Sequence, residues 1–463
     1  MLAATRPESA WIDTLLEKGR DDAVCLQAQS RHTYRELRSG VQEWVERLRA
    51  EGIRPGSTVA LQVPPSFTYI HLLLALWRSG AQVFLFDYRL KPAEVAEYKK
   101  LCQPEYSIQA REMGGLLASF KEQRDVIVEA HAQGLAAKTE HSLVQFTSGS
   151  TGRPKIIGRT GESLLAEVKR WDALEGTIQA TDRLLLLSSI THSLGVAAGL
   201  LHSFYVGATI VFPQRVQASD LLRALAEAEI TVLMGAPFHY ELLATAREGG
   251  PLKHLRLAIS GGEKLRAEVH QQFQHRYGVG IGEAYGMSEV GIIAVDLSGQ
   301  CFPAAGKAAP GIRLELREGE LFVHLGQSPY LQADDPAGFQ EGWLRTRDRA
   351  VLDEASQVVT ILGRSDSLAI IGGLKVDLAE IETALRGREG VDEVVVLQGD
   401  GIEAYVGSKA GLKAGELLQW CKERLANYKI PKRFFISQAL PRTATGKLIR
   451  SREVLLQSMG ERP

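Results

Sequence analysis

Ten residues about a third of the way along the chain are the plainest candidates for chemistry: Phe146-Thr147-Ser148-Gly149-Ser150-Thr151-Gly152-Arg153-Pro154-Lys155. Gly149 and Gly152 free the backbone to curl, so its N–H groups and the hydroxyls of Thr147, Ser148, Ser150 and Thr151 can face the oxygens of an anion. Lys155 adds a mobile positive charge. The apolar stretch from Leu143 to Phe146 predicts a strand from which the loop hangs. The run is not the common P-loop, which has four residues between its first glycine and a Gly-Lys-Ser/Thr ending. Taken alone it reads first as a polar surface loop, and the phosphate reading depends on what else the chain carries.

Four later clusters bear on that. In Ile281-Gly282-Glu283-Ala284-Tyr285-Gly286-Met287-Ser288-Glu289, Tyr285 can stack on a base and Glu289 can hold Mg²⁺ through oxygen; a buried strand end with a surface Glu fits the same residues. In Gly342-Trp343-Leu344-Arg345-Thr346-Arg347-Asp348, Asp348 can accept hydrogen bonds from two vicinal hydroxyls, and a solvated charged turn is the alternative. In Gly363-Arg364-Ser365-Asp366, Arg364 suits a ribose or phosphate, or the segment is a hinge or turn. Pro441-Arg442-Thr443-Ala444-Thr445-Gly446-Lys447 presents a lysine from a glycine-containing loop, otherwise a surface lysine.

The elements that must position these groups alternate through the middle of the chain. Strands are predicted over 184–190, 208–212, 231–234 and 255–259, and helices over 196–205, 221–228, 238–246 and 263–277, the last stopped by Gly278. This rhythm predicts a mostly parallel sheet with helices on both faces, whose ligands bind beyond the carboxyl ends of its strands. Gly261-Gly262 falls at such an end. From about Cys301 short strands and glycine turns take over. After Gly363 a helix (378–386), two strands (391–397, 402–406), a helix (415–428) and a strand (434–436) make a small α+β unit. The fold class is therefore α/β: a large N-terminal domain of doubly wound sheets with a small barrel-like β region (1–363), then a small α+β domain (364–463) behind a polar, charged boundary that suits a hinge.

Composition narrows the classes. At 463 residues two or more domains are expected, and 45% hydrophobic with 24% charged residues is ordinary for a globular protein. A net charge of -1 gives no global field for nucleic acid or an anionic membrane. Cys25, Cys102, Cys301 and Cys421 form neither a zinc spacing nor a disulfide framework, which suits a reducing cytoplasm. The first residues lack the apolar core of a signal peptide. The greasiest stretch, 69–77, is too short to span a bilayer and predicts a buried helix.

The five clusters, in this order, resemble the core motifs of the adenylate-forming superfamily, which holds acyl- and aryl-CoA synthetases, nonribosomal peptide adenylation domains and firefly luciferase. Thr33-Tyr34-Arg35-Glu36-Leu37 resembles an early motif of the same family, so the likeness spans nearly the whole chain. The resemblance implies ATP, Mg²⁺ and CoA, or the phosphopantetheine of a carrier protein, as cofactors. It also implies a two-step reaction, in which a carboxylate attacks the α-phosphate of ATP and a pantetheine thiol then displaces AMP. By resemblance Thr147 to Gly152, with Lys155, cradle the β- and γ-phosphates, and Glu289 holds Mg²⁺. Tyr285, beside Gly286 and Ser288, stacks on adenine. Gly261, Gly262 and Glu263 line adenine and the acyl pocket, and Asp348 and Arg364 hold the ribose. Lys447 bridges the carboxylate and the forming phosphate ester. Asp366 is the hinge, and Gly372 and Gly373 line the pantetheine path.

Within the family, amino-acid adenylation domains place an Asp where this chain reads Ser188 to Gly195, with no carboxylate. An unpaired ammonium there is costly. His192 matches a histidine of CoA ligases. These features imply an ATP-dependent ligase for a non-amino aryl or acyl carboxylic acid, acting on CoA. The alternatives are a ligase that loads a pantetheinylated carrier protein and a non-catalytic adenylate-binding protein. Partners are then a small carboxylic acid and CoA or an acyl carrier protein, without nucleic acid or membrane insertion. Two departures from the family are Ser288 for the usual Thr and Arg347 where Gly is usual, beside Asp348. The latter puts the ribose geometry in question.

Overall fold

The structure, a computed structural model, describes residues 10–90, 92–113, 120–147, 155–247, 249–331, 338–365, 368–371, 374–399, 401–425, 429–443 and 446–460. The chain parts into two compact units. The first holds the described residues up to 314 with 323–344 and 352–360, and the second holds 315–322, 345–351 and 361–463.

Two sheets build the first unit. One runs in the order Gly306–Ala308, Gly291–Asp296, Ile281–Met287, Leu257–Gly261, Val232–Gly235, Arg183–Leu186, Thr209–Val211, Val24–Gln27, Arg31–Thr33. From Ile281–Met287 through to Val24–Gln27 its pairs are parallel, as the alternating pattern predicts. The other sheet has the order Val126–Ala130, Tyr106–Ala110, Thr58–Gln62, Gln82–Leu85, His141–Thr147, Lys155–Thr160. Its four central strands are parallel and its two outer pairs antiparallel. A continuous core runs from Leu26, Leu61 and Val83 to Leu184 and Ile259, taking in residues of both sheets.

Local chemistry explains the helices. Thr33 to Leu37 opens the helix Tyr34–Ala50 as a capping box: the Thr33 side chain accepts from the Glu36 N–H, and the Glu36 carboxylate accepts from the Thr33 N–H at 2.6 Å. Such a cap is worth about 1 kcal/mol, so this early motif starts a helix. The greasy stretch lies in the helix Phe67–Arg78, buried everywhere except Arg78. Gly278 ends Ala267–Tyr277 in the left-handed conformation, φ +75°. Where 196–205 predicts an α-helix, the chain is π-helical over Leu194–Leu201 before it turns α-helical over His202–Val206. The wider turn directly follows His192, and such turns cluster at functional sites.

The strands Leu314–Arg317, Glu320–His324, Trp343–Leu352 and Val358–Arg364 lie side by side in that order. Further along, Glu393–Gln398, Ile402–Gly407 and Arg433–Ser437 form a sheet backed by Leu378–Arg386 and Ala414–Lys422. The second of these helices stops at Lys422, short of the sequence expectation. The four cysteines are free, and burial pushes the Cys25 and Cys102 thiols up to about 12. No helix among the described residues is long and apolar enough to cross a membrane.

Candidate active site

The hydroxyl- and glycine-rich run sits on a hairpin. His141–Thr147 pairs antiparallel with Lys155–Thr160, with Thr147 directly opposite Lys155. Ser148, Gly149, Ser150, Thr151 and Gly152 fall outside the described residues, as does the side chain of Thr147. The two strand ends fix where that loop must start and finish. Lys155 is not the mobile loop charge that the sequence suggests: it is the first residue of the return strand, half-buried, with Nζ 5.0 Å from the centroid of the Tyr330 ring.

Tyr330 ties the mouth together. The segment 329–331 runs along the return strand, with the Gly158 N–H donating to the Pro329 carbonyl at 2.8 Å and the Leu331 N–H to the Ile156 carbonyl at 3.0 Å. Its hydroxyl lies 3.5 Å from Oε1 of Glu289, a carboxylate only 9% exposed. Sequence reasoning missed Tyr330; its link to Lys155 and Glu289 exists only across the fold. The turn after Glu289 is held from below by Glu167, whose Oε1 accepts the Ile292 N–H at 3.2 Å and whose Oε2 pairs with Arg159 at 3.0 Å. Both side chains of that ion pair are nearly fully buried. Gly291, at φ +85°, is required because a Cβ there would lie on the Glu167 carboxyl.

A second convergence lies at the carboxyl ends of the parallel strands. Gly261 ends Leu257–Gly261, and a Cβ on it would come within 2.8 Å of Leu194 Cδ2 and 2.9 Å of the Ala284 carbonyl oxygen. Glycine there lets the turn after His192, the strand end and the Ala284-Tyr285 segment meet. Gly262 is left-handed at φ +91°, and Gly262 and Glu263 are exposed. Tyr285 and Ser288 are half-buried and Gly286 is exposed. Gln145, two residues before Thr147, clamps the His192 turn: its Nε2 donates to the Thr191 carbonyl and its Oε1 accepts from the Ser193 hydroxyl, each at 2.9 Å.

His192 has a partner no local pattern announces. Its Nε2 lies 3.3 Å from Oδ2 of Asp87, a buried carboxylate that also takes a bidentate pair from Arg89 at 2.9 and 2.7 Å. Burial pushes the Asp87 carboxyl up. The hydrogen bonds from Arg89 and His192 and the Arg89 charge outweigh it and hold the group well below the usual carboxylate range. Glu283 shows the opposite balance. Burial drives it up to about 7, against the pull of the Leu265 N–H, which it accepts at 3.1 Å, and of Lys264; Asp296 pushes in the same direction as burial. Glu283 thereby braces the turn 261–265.

In the second unit Asp348 and Arg364 are brought together: Arg364 Nη1 lies 3.4 Å from Asp348 Oδ1 and donates to the Thr346 carbonyl at 3.1 Å. Arg347 takes φ +63°, the left-handed conformation that explains why glycine suits this position. The backbone beside Asp348 therefore keeps the bend despite the substitution, at a strain of about 1–2 kcal/mol. Lys447 is exposed on a tight turn, with its N–H bonded to Thr443 Oγ1 at 3.1 Å and its carbonyl accepting the Thr443 N–H at 2.7 Å. Asp366, Gly372 and Gly373 lie outside the described residues.

The profile of the AMP-binding enzyme family matches residues 14–323, and that of the AMP-binding enzyme C-terminal domain matches residues 380–447. Among curated relatives, the 2-succinylbenzoate–CoA ligase of Bacillus subtilis is 27% identical over 459 residues, covering 90% of this chain and 92% of its own. The feruloyl-CoA synthase of an Amycolatopsis species is 25% identical over 461 residues, with the same coverage. Among solved structures, ATP-bound MatB from Rhodopseudomonas palustris superposes with a TM-score of 0.80 at 21% identity, over 97% of this chain and 99% of the other. The O-succinylbenzoate coenzyme A synthetase of Bacillus subtilis in complex with AMP gives 0.80 at 24%, over 96% and 98%. These likenesses bear out the expected α/β architecture with a large N-terminal and a smaller C-terminal domain.

Proposed function

The chain belongs to the AMP-binding enzyme family, and from that premise we propose that it is an ATP-dependent acid–thiol ligase that converts a non-amino aryl or acyl carboxylic acid to its CoA thioester. The observation that carries this reading is the meeting of Lys155, Tyr330 and Glu289 at the mouth of the 147/155 hairpin. A cation, a phenol hydroxyl and a buried carboxylate next to a strand that enters a hydroxyl-rich run suit a polyphosphate and its counter-ion. Among the described residues no group of three or more His, Cys, Asp or Glu could hold a metal ion. A single carboxylate is what Mg²⁺ uses when phosphate and water complete its octahedron, so Glu289 fits the ion. When bound, Mg²⁺ would neutralise phosphate charge.

The reaction then runs as two displacements. A carboxylate oxygen of the acid attacks the α-phosphorus of ATP, the bond to pyrophosphate breaks, and an acyl-adenylate forms. A thiol sulfur then attacks the acyl carbon, the bond to AMP breaks, and the thiol's proton passes to solvent. The first step drives an anion onto a polyanion, so its barrier falls where cations face the developing charge. Lys155 serves the phosphates at the hairpin and Lys447 the attacked phosphoryl group; removing a contact of the latter kind costs roughly 10²–10³ in rate. Tyr285 stacks on adenine beside the turn 261–263, and Asp348 with Arg364 holds the ribose. Domain 364–463 turns about Asp366 between the steps, bringing Gly372-Gly373 to the pantetheine arm.

Two observations support a non-amino acid acting on CoA. The carboxylate that the fold brings to His192 is Asp87, and its charge is already matched by Arg89, so this group does not compensate a buried ammonium. The relatives named above are CoA ligases over nearly their whole length. Pyrophosphate release across an acid library, followed by thioester formation on CoA and on holo-carrier protein, tests the reading. Acid-dependent release with turnover on CoA is expected. No release with any acid, or turnover on the carrier alone, overturns it.

A further inference from the structure

Lys447 is an exposed side chain on a flexible stem, and an exposed lysine samples many directions. The turn that carries it is nevertheless heavily anchored. Four cations lie between positions 442 and 452: Arg442, Lys447, Arg450 and Arg452. Arg450 forks onto Glu382 at 2.8 and 2.7 Å, and Arg452 onto Glu403 at 2.8 and 3.0 Å; both carboxylates are almost wholly buried in the second unit. Those two hold the chain after the turn to the body of its unit. Arg442 does something else. Its Nε and Nη2 donate to Glu393 Oε1 at 3.1 and 2.6 Å, while its Nη1 donates to the carbonyl of Gly446, the residue just before Lys447. Glu393 is fixed in turn, since its Oε2 accepts the Leu440 N–H at 2.7 Å and its strand pairs with Ile402–Gly407.

We propose that Arg442 is a positioning residue for Lys447: it ties the Glu393 carboxylate to the Gly446 carbonyl and so sets the backbone from which the lysine is delivered during adenylate formation. The proposal rests on the reading of Lys447 given above. The physical warrant is the fork. A planar guanidinium holds two acceptors in fixed relative directions, whereas an ammonium is a point charge that cannot reproduce that geometry. The turn's own bonds, Gly446 N–H to the Thr443 carbonyl and Thr443 N–H to the Lys447 carbonyl, close it internally. They do not fix it to the sheet. Arg442 links the inside of the turn to the strand that carries Glu393. A reacting group displaced by about 1 Å loses roughly 10²-fold in rate, which is the scale on which such a tether acts.

The test separates the two half-reactions in the full chain. Acid-dependent pyrophosphate release reads the first, with the acid taken as the fastest of benzoate, ferulate, 2-succinylbenzoate and octanoate. Thioester formation from the supplied adenylate of that acid and CoA reads the second. Arg442→Ala is expected to lower the kcat of the first about 10- to 100-fold with little change in the KM for ATP, and to leave the second within about threefold. Arg442→Lys should fall between. In the Arg442→Ala/Lys447→Ala double variant the first half-reaction should be no slower than in Lys447→Ala alone, because Arg442 acts through the lysine. Should Arg442→Ala fold poorly, Glu393→Gln loosens the same clamp from its other end and should show the same split. Equal loss of both half-reactions, or multiplied losses in the double variant, overturns the proposal. If Lys447→Ala itself spares pyrophosphate release, the assignment of the lysine has failed instead, and the two results are told apart by that one variant.

Discussion

Glu283→Gln should make this protein more stable at alkaline pH than at acid pH, relative to the unsubstituted chain. Burial lifts the Glu283 carboxyl from an ordinary 4.5 to about 7, and each pH unit of that displacement is worth about 1.36 kcal/mol. The charged carboxylate therefore costs the folded state about 3 kcal/mol relative to the protonated one. The sign follows from linkage. The folded-state value lies above the unfolded one, so the folded chain holds this proton more tightly. The group's contribution is whole below about pH 4.5 and is lost as pH rises through about 7. Glutamine never ionises, and its amide oxygen can still accept the Leu265 N–H. Denaturant titrations at several pH values should give a small difference between the two proteins near about pH 5, growing to roughly 3 kcal/mol in favour of Glu283→Gln near about pH 8. A difference that does not change with pH, or that shrinks as pH rises, would show that the carboxyl is not held protonated by burial.

The other expected outcomes are more local. Glu167→Ala strands Arg159 in the core and releases the Ile292 N–H below Glu289. It should cost about 3–5 kcal/mol in a denaturant titration, and a loss under about 1 kcal/mol would mean that solvent reaches the pair. Arg347→Gly removes a left-handed arginine. Relief of about 1–2 kcal/mol of strain, set against about 0.5–1 kcal/mol of glycine entropy, predicts an unchanged or slightly raised stability. A clear drop in thermal midpoint would assign the arginine side chain a larger role than the bend. Gly261→Ala pushes a methyl against the Ala284 carbonyl and Leu194 and should slow adenylate formation at least about 10-fold. Wild-type rates would show that the three segments part easily.

The motifs were legible because each is contiguous: a glycine turn, a hydroxyl run or a loop lysine is written in neighbouring residues, where backbone chemistry acts. The same is true of the helix Leu378–Arg386, whose bounds match the expected 378–386, and of the Gly278 stop. Of the second sheet of the first unit, only the strand around 143–146 was read from the sequence. The strands Thr58–Gln62, Gln82–Leu85 and Tyr106–Ala110 are short and mostly buried, and an apolar run of four or five residues has no period to separate strand from helix. The π-helical turn after His192 likewise has no distinct spacing signal of its own.

Residue types and local order, then, determined the family, the α/β class and most of the side chains with a role to propose. Only the tertiary structure decided how those side chains are held. Asp87 reaches His192 across 105 residues and Glu167 reaches the Ile292 backbone across 125. Tyr330 joins Lys155 to Glu289, and a buried setting moves Glu283 to about 7. The reason is physical. Hydrogen bonds, ion pairs and desolvation depend on distance in space and on the exclusion of water, and chain folding sets both in ways that no window of neighbouring residues contains.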